Sequence, residues 1–384
     1  MKILQYSQHI WGVGHFFRGL EISKALEGHE VVLITGGDRL EFPLPVHVRE
    51  RRLPGIMTGK NPKQLVAVQR GATLGKTRRE REKKLLEIYL QEAPDVFLIE
   101  FYPFGRNAFR FELDPLLEKI RKEALPKSLV ACSLRDILVE KTDPLYEERV
   151  IGKLNRFFDA LLIHADPSVV RLDETFGRMG DIGIPVVYTG FVASRPAPGA
   201  RSRIRKENGI GDDDFLIAAS AGGGKAGAPL LKSVVKAFRR MQPEKGCHLH
   251  VFSGPYMDAD EYEELAGLAG ERTRVTRFTS DFPSYLAASD LSVSMAGYNT
   301  CMNILSAGVR SLVWPFSYDR EQGIRAQRLA RMGALRILSD ADLVPERLAH
   351  LLMENLLEGM PSPYRVDLEG AFRTAKWLME RVGD

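Results

Sequence analysis

FLIAASAGGGKAG, residues 215–227, is an apolar run that gives way to glycines just before a helical pattern starting near Pro229. A strand, a glycine turn and a helix in that order form half of a βαβ unit, which implies a parallel sheet. Glycine lets backbone N–H groups approach a phosphate, and the following helix start carries partial positive charge. A tight βα turn that needs glycine only for its shape has the same letters, so the loop by itself leaves both readings open. No GxxxxGK[ST] is present, so it is not a P-loop.

The same grammar recurs downstream. LSVSMAGYNT, residues 291–300, predicts a strand and then a helix over 299–307, with Gly297 at the turn. Gly297, Tyr298, Asn299 and Thr300 there make a second phosphate-facing helix start, alongside Gly223, Gly224 and Lys225 in the first loop. Two such starts in one domain suit a diphosphate, which needs several donors. A strand at 311–315 leads into Pro315–Gln322, read as a loop, where Glu321 and Gln322 could grip sugar hydroxyls; a helix is predicted over 323–332.

The N-terminal half alternates in the same way. KILQYS at 2–7 predicts a strand, Gly12-Val13-Gly14 a turn, 16–27 a helix and EVVLIT at 30–35 a second strand. DVFLIE at 95–100, SLVACS at 128–133 and ALLIH at 160–164 are continuous apolar runs, as strands buried on both faces are. SRPAPGARSR at 194–203 has no periodicity and reads as the interdomain linker or a loop at its edge. The expected domains are 1–193 and 204–366, with a last helix within 367–384 that could pack on either. The expected fold class is α/β, two Rossmann-like doubly wound parallel-sheet domains around a cleft, since ligands bind at the carboxyl ends of such strands.

At 384 residues the chain exceeds what one core usually serves. A net charge of +4 is too slight to argue for nucleic acid. Cys132, Cys247 and Cys301 are scattered, which fits a reduced, cytoplasmic setting and no metal cluster. No signal peptide or membrane-spanning run is read. The run Lys76 to Lys84 reads first as a solvated helix face and second as a docking patch for an anionic membrane.

His15 follows the first glycine turn, where a histidine could take the proton of an attacking hydroxyl; a helix-capping role is the plainer alternative. Glu100, Arg135 and His164 lie at strand ends on the same edge and are read either as acceptor contacts or as structural hydrogen-bonding groups.

The pieces GGGKAG, RFTSDFPSYLAASDLSVSMAGYNT, NILSAG and WPFSYDREQGIRAQRLARMG follow one another in the order and spacing of the donor domain of MurG-like glycosyltransferases, glycosyltransferase family 28. GVGHFFRGLEISKAL resembles that family's glycine-rich acceptor-side loop. The resemblance implies the GT-B fold and an inverting, metal-independent hexosyl or N-acetylhexosaminyl transfer without a cofactor. The donor would be a nucleotide sugar, UDP in that family, and the acceptor lipid-linked or small. At most peripheral contact with the inner membrane face is implied. Phe278, Thr279 and Phe282 would enclose the base. Gly297, Asn299 and Thr300 would hold the diphosphate, Glu321 and Gln322 would read the donor sugar, and Gly14 would also contact the donor. Asn303 stands where the family has a ribose-binding glutamate.

Three other readings stay open. Gly12-Val13-Gly14 with Asp38 could suggest a nicotinamide site, but Phe16-Phe17 fits that motif poorly. A UDP-sugar hydrolase or epimerase could share the donor domain, and so could a non-catalytic nucleotide-sugar-binding protein.

Overall fold

The computed structural model describes residues 1–8, 14–37, 42–59, 64–139, 141, 143–241, 246–317, 320–358 and 364–383. Gly12, Val13, Asp38, Tyr318 and Asp319 lie outside the described residues. The chain divides into two units, Met1–Val192 with Asp367–Asp384, and Ala193–Val366.

The first unit contains β1 (Lys2–Tyr6), α1 (Gly14–Lys24), β2 (Glu30–Thr35), β3 (Val48–Arg52), β4 (Ile56–Thr58), β5 (Leu65–Ala67), α2 (Leu74–Glu92), β6 (Val96–Glu100), α3 (Arg110–Arg121), β7 (Leu129–Arg135), α4 (Tyr146–Phe157), β8 (Ala160–His164) and β9 (Val186–Tyr188). Its sheet runs β3-β2-β1-β6-β7-β8-β9, and every neighbouring pair is parallel. Strands β6 and β8 are buried along their whole length, because helices cover both faces. The antiparallel β4-β5 hairpin stands apart from this sheet.

The second unit contains α5 (Ala200–Glu207), β10 (Phe215–Ser220), α6 (Ala228–Phe238), β11 (Cys247–Phe252), α7 (Ala259–Gly267), β12 (Thr273–Thr276), α8 (Phe282–Ala288), β13 (Leu291–Met295), α9 (Tyr298–Ala307), β14 (Ser311–Trp314), α10 (Arg320–Arg331), β15 (Arg336–Ile337) and α11 (Pro345–Leu357). Its parallel sheet runs β12-β11-β10-β13-β14-β15. The chain then returns to the first unit, where α12 (Gly370–Val382) packs beside α1 through Ala375 and Leu378.

Both sheets are doubly wound, and in each the strand order reverses beside the first strand. The crevice at such a reversal is where ligands enter open α/β sheets. In the first unit it lies between β1 and β6, and in the second between β10 and β13.

Two expectations need correction. The stretch 194–203 is not all linker, because α5 begins at Ala200. Its arginines, which suggested solvation, instead bind the α8 region: Arg201 pairs with Asp290 at 2.7 Å and donates to the Ala288 carbonyl at 3.1 Å. Nor is the run Lys76 to Lys84 wholly a surface face. Arg81 is fully buried and donates to Glu112 through Nε at 2.8 Å, to Gln8 at 3.0 Å and to the Pro54 carbonyl at 2.8 Å. Tyr6 donates to the same carboxylate. Removing one partner would leave a buried charge uncompensated, typically a loss of about 3–5 kcal/mol. Among the described residues, no helix is long and apolar enough to cross a membrane.

Candidate functional site

The reversal point of the first unit is built from charged side chains. His15 lies in the first turn of α1, one residue after Gly14, and Glu100 is the last residue of β6. Their side chains meet at 3.1 Å, His15 Nδ1 to Glu100 Oε1. Arg18, one turn further along α1, reaches the same Nδ1 at 3.0 Å and donates to Glu100. A guanidinium only donates and a carboxylate only accepts. The two contacts at Nδ1 therefore belong to different tautomers. With the proton on Nδ1, His15 binds Glu100 and presents the Nε2 lone pair as a base.

Behind Glu100 the polar chain continues across the sheet. Ser133 donates to Glu100 Oε2 at 2.6 Å and lies 2.8 Å from His164 Nε2; His164 Nδ1 lies 2.9 Å from Thr189 Oγ1. Register makes this possible, since Glu100 pairs with Ser133 and Arg135 with His164 on neighbouring strands.

Burial shapes the charges. It holds the His15 imidazolium well below the usual histidine range, with Arg106 adding to the effect and Glu100 opposing it. Burial also pushes His164 down to about 3. For Glu100, burial favours the neutral acid, but Arg18 and the bond from His15 outweigh it and hold the carboxyl below its ordinary range. At neutral pH the site is thus a neutral imidazole on a carboxylate, the form a general base requires.

Glu100 is 2% exposed and His164 0%. Glu100 bonds His15 directly, and His164 is joined to Glu100 through Ser133. Arg135 is half-buried, with its guanidinium 4.9 Å from the Phe101 ring centroid, and that ring in turn packs 5.3 Å from His15.

The second unit's reversal point is made mostly of backbone. Gly222, Gly224 and Gly254 have left-handed φ values of +61°, +99° and +87°. The loops after β10 and β11 interlock there, with Tyr256 N–H donating to the Gly223 carbonyl at 3.1 Å. A Cβ on Gly254 would lie 2.5 Å from the Gly222 oxygen, and one on Gly224 2.7 Å from the Ser253 oxygen. Close backbone crossing therefore explains these glycines without a ligand. Two loop amides are engaged internally, Gly222 N–H by Ser220 Oγ at 3.1 Å and Gly224 N–H by the Ala221 carbonyl at 3.3 Å. Lys225 is exposed at the tip, its Nζ 5.9 Å from the Tyr256 ring.

Helix α9 starts across the reversal from this loop. Gly297 is its N-cap, and Tyr298, Asn299 and Thr300 form its first turn. Thr300 Oγ1 lies 3.5 Å from where a Cβ on Gly222 would be, so the two loops touch. Asn303, one turn on, accepts the Ser194 N–H at 3.2 Å.

Glu321 and Gln322 belong to the first turn of α10 rather than to the preceding loop, whose polar letters masked the helix start. Glu321 is buried and pairs with Arg325 at 3.3 Å; Gln322 accepts the Phe316 N–H at 3.2 Å. Arg325 also donates to the Ala296 carbonyl at 3.1 Å, tying α10 to the loop before α9. Phe278 is 38% exposed after β12. Thr279 Oγ1 accepts the Asp281 N–H at 3.2 Å, and Phe282 sits edge-on to Phe252 at 5.3 Å.

Sequence reading missed Arg18, Ser133 and Arg325. The i+4 spacing from Glu321 to Arg325 was a usable signal; for Arg18 and Ser133 only the sheet order reveals the partner.

Residues 221–372 match the family described as glycosyltransferase family 28 C-terminal domain. A Caldicellulosiruptor saccharolyticus UDP-N-acetylglucosamine--N-acetylmuramyl-(pentapeptide) pyrophosphoryl-undecaprenol N-acetylglucosamine transferase is 25% identical over 233 residues, 60% of each chain. The match thus spans three fifths of that relative's length. Acinetobacter baumannii MurG superposes with a TM-score of 0.52 at 16% identity, covering 100% of this chain and 99% of that one. Spinosyn rhamnosyltransferase SpnG complexed with thymidine diphosphate gives 0.54 at 16% identity, covering 100% and 96%. The fold is GT-B, and the stretch that matches the family 28 model makes up most of the second unit.

Proposed function

We propose that the chain transfers a hexose or N-acetylhexosamine from a nucleotide sugar to an acceptor hydroxyl, with inversion at the anomeric carbon. What carries the reading is the family 28 match over residues 221–372, whose helix α9 starts at the sheet's reversal point. The relatives' names supply UDP-N-acetylglucosamine as the first donor to try and a pyrophosphoryl-polyprenol as the first acceptor class.

In this reading His15 Nε2 takes the acceptor proton as the hydroxyl oxygen attacks, and Glu100 stabilises the imidazolium that forms. Such a base contributes about 10²–10⁴-fold. The bond to the nucleotide diphosphate breaks, and its charge is met by the amides at the start of α9 and by Lys225, so the residues present suffice without a metal. Phe278, Thr279 and Phe282 form the base pocket. Asn303 lies at the ribose, and Glu321 and Gln322 read the sugar. The first unit binds the acceptor, with Arg135 at its edge. The protein works in the cytoplasm, at most touching the inner membrane face.

The test is a thermal-shift panel of UDP, GDP, TDP and CDP sugars, followed by UDP release with and without a polyprenyl diphosphate-linked sugar. The reading expects stabilisation by one nucleotide class and acceptor-dependent release. No stabilisation by any would overturn the donor site, and equal release without acceptor would make the chain a hydrolase.

A further inference from the structure

Beyond β6 the chain makes two turns in the left-handed region at residues other than glycine, Phe101 at φ 68° and Arg106 at φ 58°. Side chains favour that region little, so such positions are held by their surroundings. Arg106 ends the loop at the β1/β6 reversal point, just before α3. It is partly buried, and its Nε is shielded from solvent with no hydrogen-bond partner. Among the described residues, its side chain makes no hydrogen bond and no ion pair. The carboxylates nearby are occupied: Glu100 by Arg18, His15 and Ser133, and Glu112 by Arg81 and Tyr6.

A shielded guanidinium without an anion is costly, and chains keep such groups where a ligand completes them. Its planar fork matches the two oxygens of a phosphate or carboxylate. Arg135 stands close enough to disfavour the Arg106 charge, and burial together with Arg135 pushes Arg106 down to about 10. Arg106 in turn is the second cause, after burial, of the weakened basicity of His15. Phe101 packs against both the His15 ring and the Arg135 guanidinium, so base and cations share one wall.

We propose that Arg106, with Arg135 beside it, is a subsite for an oxyanion carried by the acceptor, a phosphate or a carboxylate, placed next to His15. This rests on the reading of the first unit as the acceptor side. The anion compensates Arg106, and with that positive charge neutralised His15 becomes a stronger base. The acceptor's own charge thereby prepares the group that deprotonates it.

The experiment follows the His15 ring by NMR across pH in the full-length protein, with His15→Gln to assign the signal. Inorganic phosphate, pyrophosphate and acetate are each compared with chloride at equal ionic strength. Wild type should show His15 titrating at least about half a pH unit higher with the matching anion, a roughly threefold gain in proton affinity. Which anion acts tells phosphate from carboxylate. Arg106→Gln should start with the higher value and no longer respond, while Arg106→Lys should respond in part. Arg106→Gln should also melt higher than wild type in chloride, the reverse of what a structural arginine would do. A His15 signal unmoved by all three anions, or moved equally in Arg106→Gln, would overturn the proposal. UDP affinity is measured on the same proteins. Its absence would sink the glycosyl-transfer reading while leaving the anion result to stand or fall alone.

Discussion

The two reversal points share one topology and are made of different material. In the first unit the crevice beside β1 holds His15, Arg18, Glu100 and Ser133, with charges set by burial and by one another. In the second unit the crevice beside β10 is lined by glycine loops and the start of α9. Side chains can be tuned to accept a proton, and backbone amides can hold a diphosphate without titrating. The strand order delivers loops to one place, and the residues there decide what each crevice can do.

The sharpest way to break this contrast is to remove the base. His15→Ala should lower transfer by about 10²–10⁴-fold while leaving the UDP dissociation constant within about twofold. Glu100→Gln should cost less, because the imidazole remains and only its partner's charge is lost. Initial rates and calorimetric titration with UDP on both variants check this. A His15→Ala enzyme with undiminished kcat would move the chemistry elsewhere.

Acid should separate the units next. His164 titrates at about 3 when folded and His15 well below 6.5, so below pH 6.5 the unfolded chain binds protons that the folded chain does not. Stability is full above that pH and falls as pH drops, by up to about 1.4 kcal/mol per unit for each histidine. Glu100, held low when folded, adds a further loss below about pH 4.5. Hydrogen exchange at pH 7 and pH 5 should show the first unit's sheet, with His15 and His164, opening more readily, while the second, where burial holds His250 down to about 4, changes less. His164→Gln should flatten the slope. Equal loosening of both units would mean that the buried polar chain is not the acid-sensitive element.

The backbone-built crevice should answer to glycine instead. Gly254→Ala places a Cβ 2.5 Å from the Gly222 oxygen at a φ of +87°, so the interlocked loops must part. A loss of about 1–3 kcal/mol is expected, with a lower melting temperature and weaker UDP binding. Gly308→Ala at the end of α9, where nothing lies within 4 Å, should cost only its left-handed φ of 66°. If both cost the same, steric crossing is not what those loops require.

The contrast also explains what could be read from the letters. Strands such as EVVLIT and ALLIH are continuous apolar runs, and glycine turns announce the loops, so the doubly wound halves were legible. Backbone sites advertise themselves because glycine is needed wherever chains cross. The side-chain site was legible in place but not in its connections. Glu100 and His164 were recognised as strand-end polar residues, and the structure buries both and links them through Ser133. Arg18 and Ser133 are ordinary letters until strand order brings them to Glu100. Arg81 hid inside a charged run because periodicity cannot tell which arginine faces in.

The smallest effect concerns Asn303, which belongs to both kinds of material. Its Oδ1 accepts the Ser194 N–H at 3.2 Å, so the oxygen is engaged by backbone just where the second unit begins. At the proposed ribose position this leaves the amide Nδ2 to donate, whereas a carboxylate would accept from two hydroxyls. Asn303→Glu should therefore tighten UDP by about threefold to tenfold, the worth of a charge-assisted bond less the strain of rehousing Ser194. The gain should shrink for 2′-deoxy-UDP, which lacks one of the hydroxyls. Asn303→Ala should lower stability by about 0.5–1.5 kcal/mol and change UDP affinity little. A glutamate that improves both nucleotides equally would place Asn303 away from the ribose and leave it a clamp on the chain at Ser194.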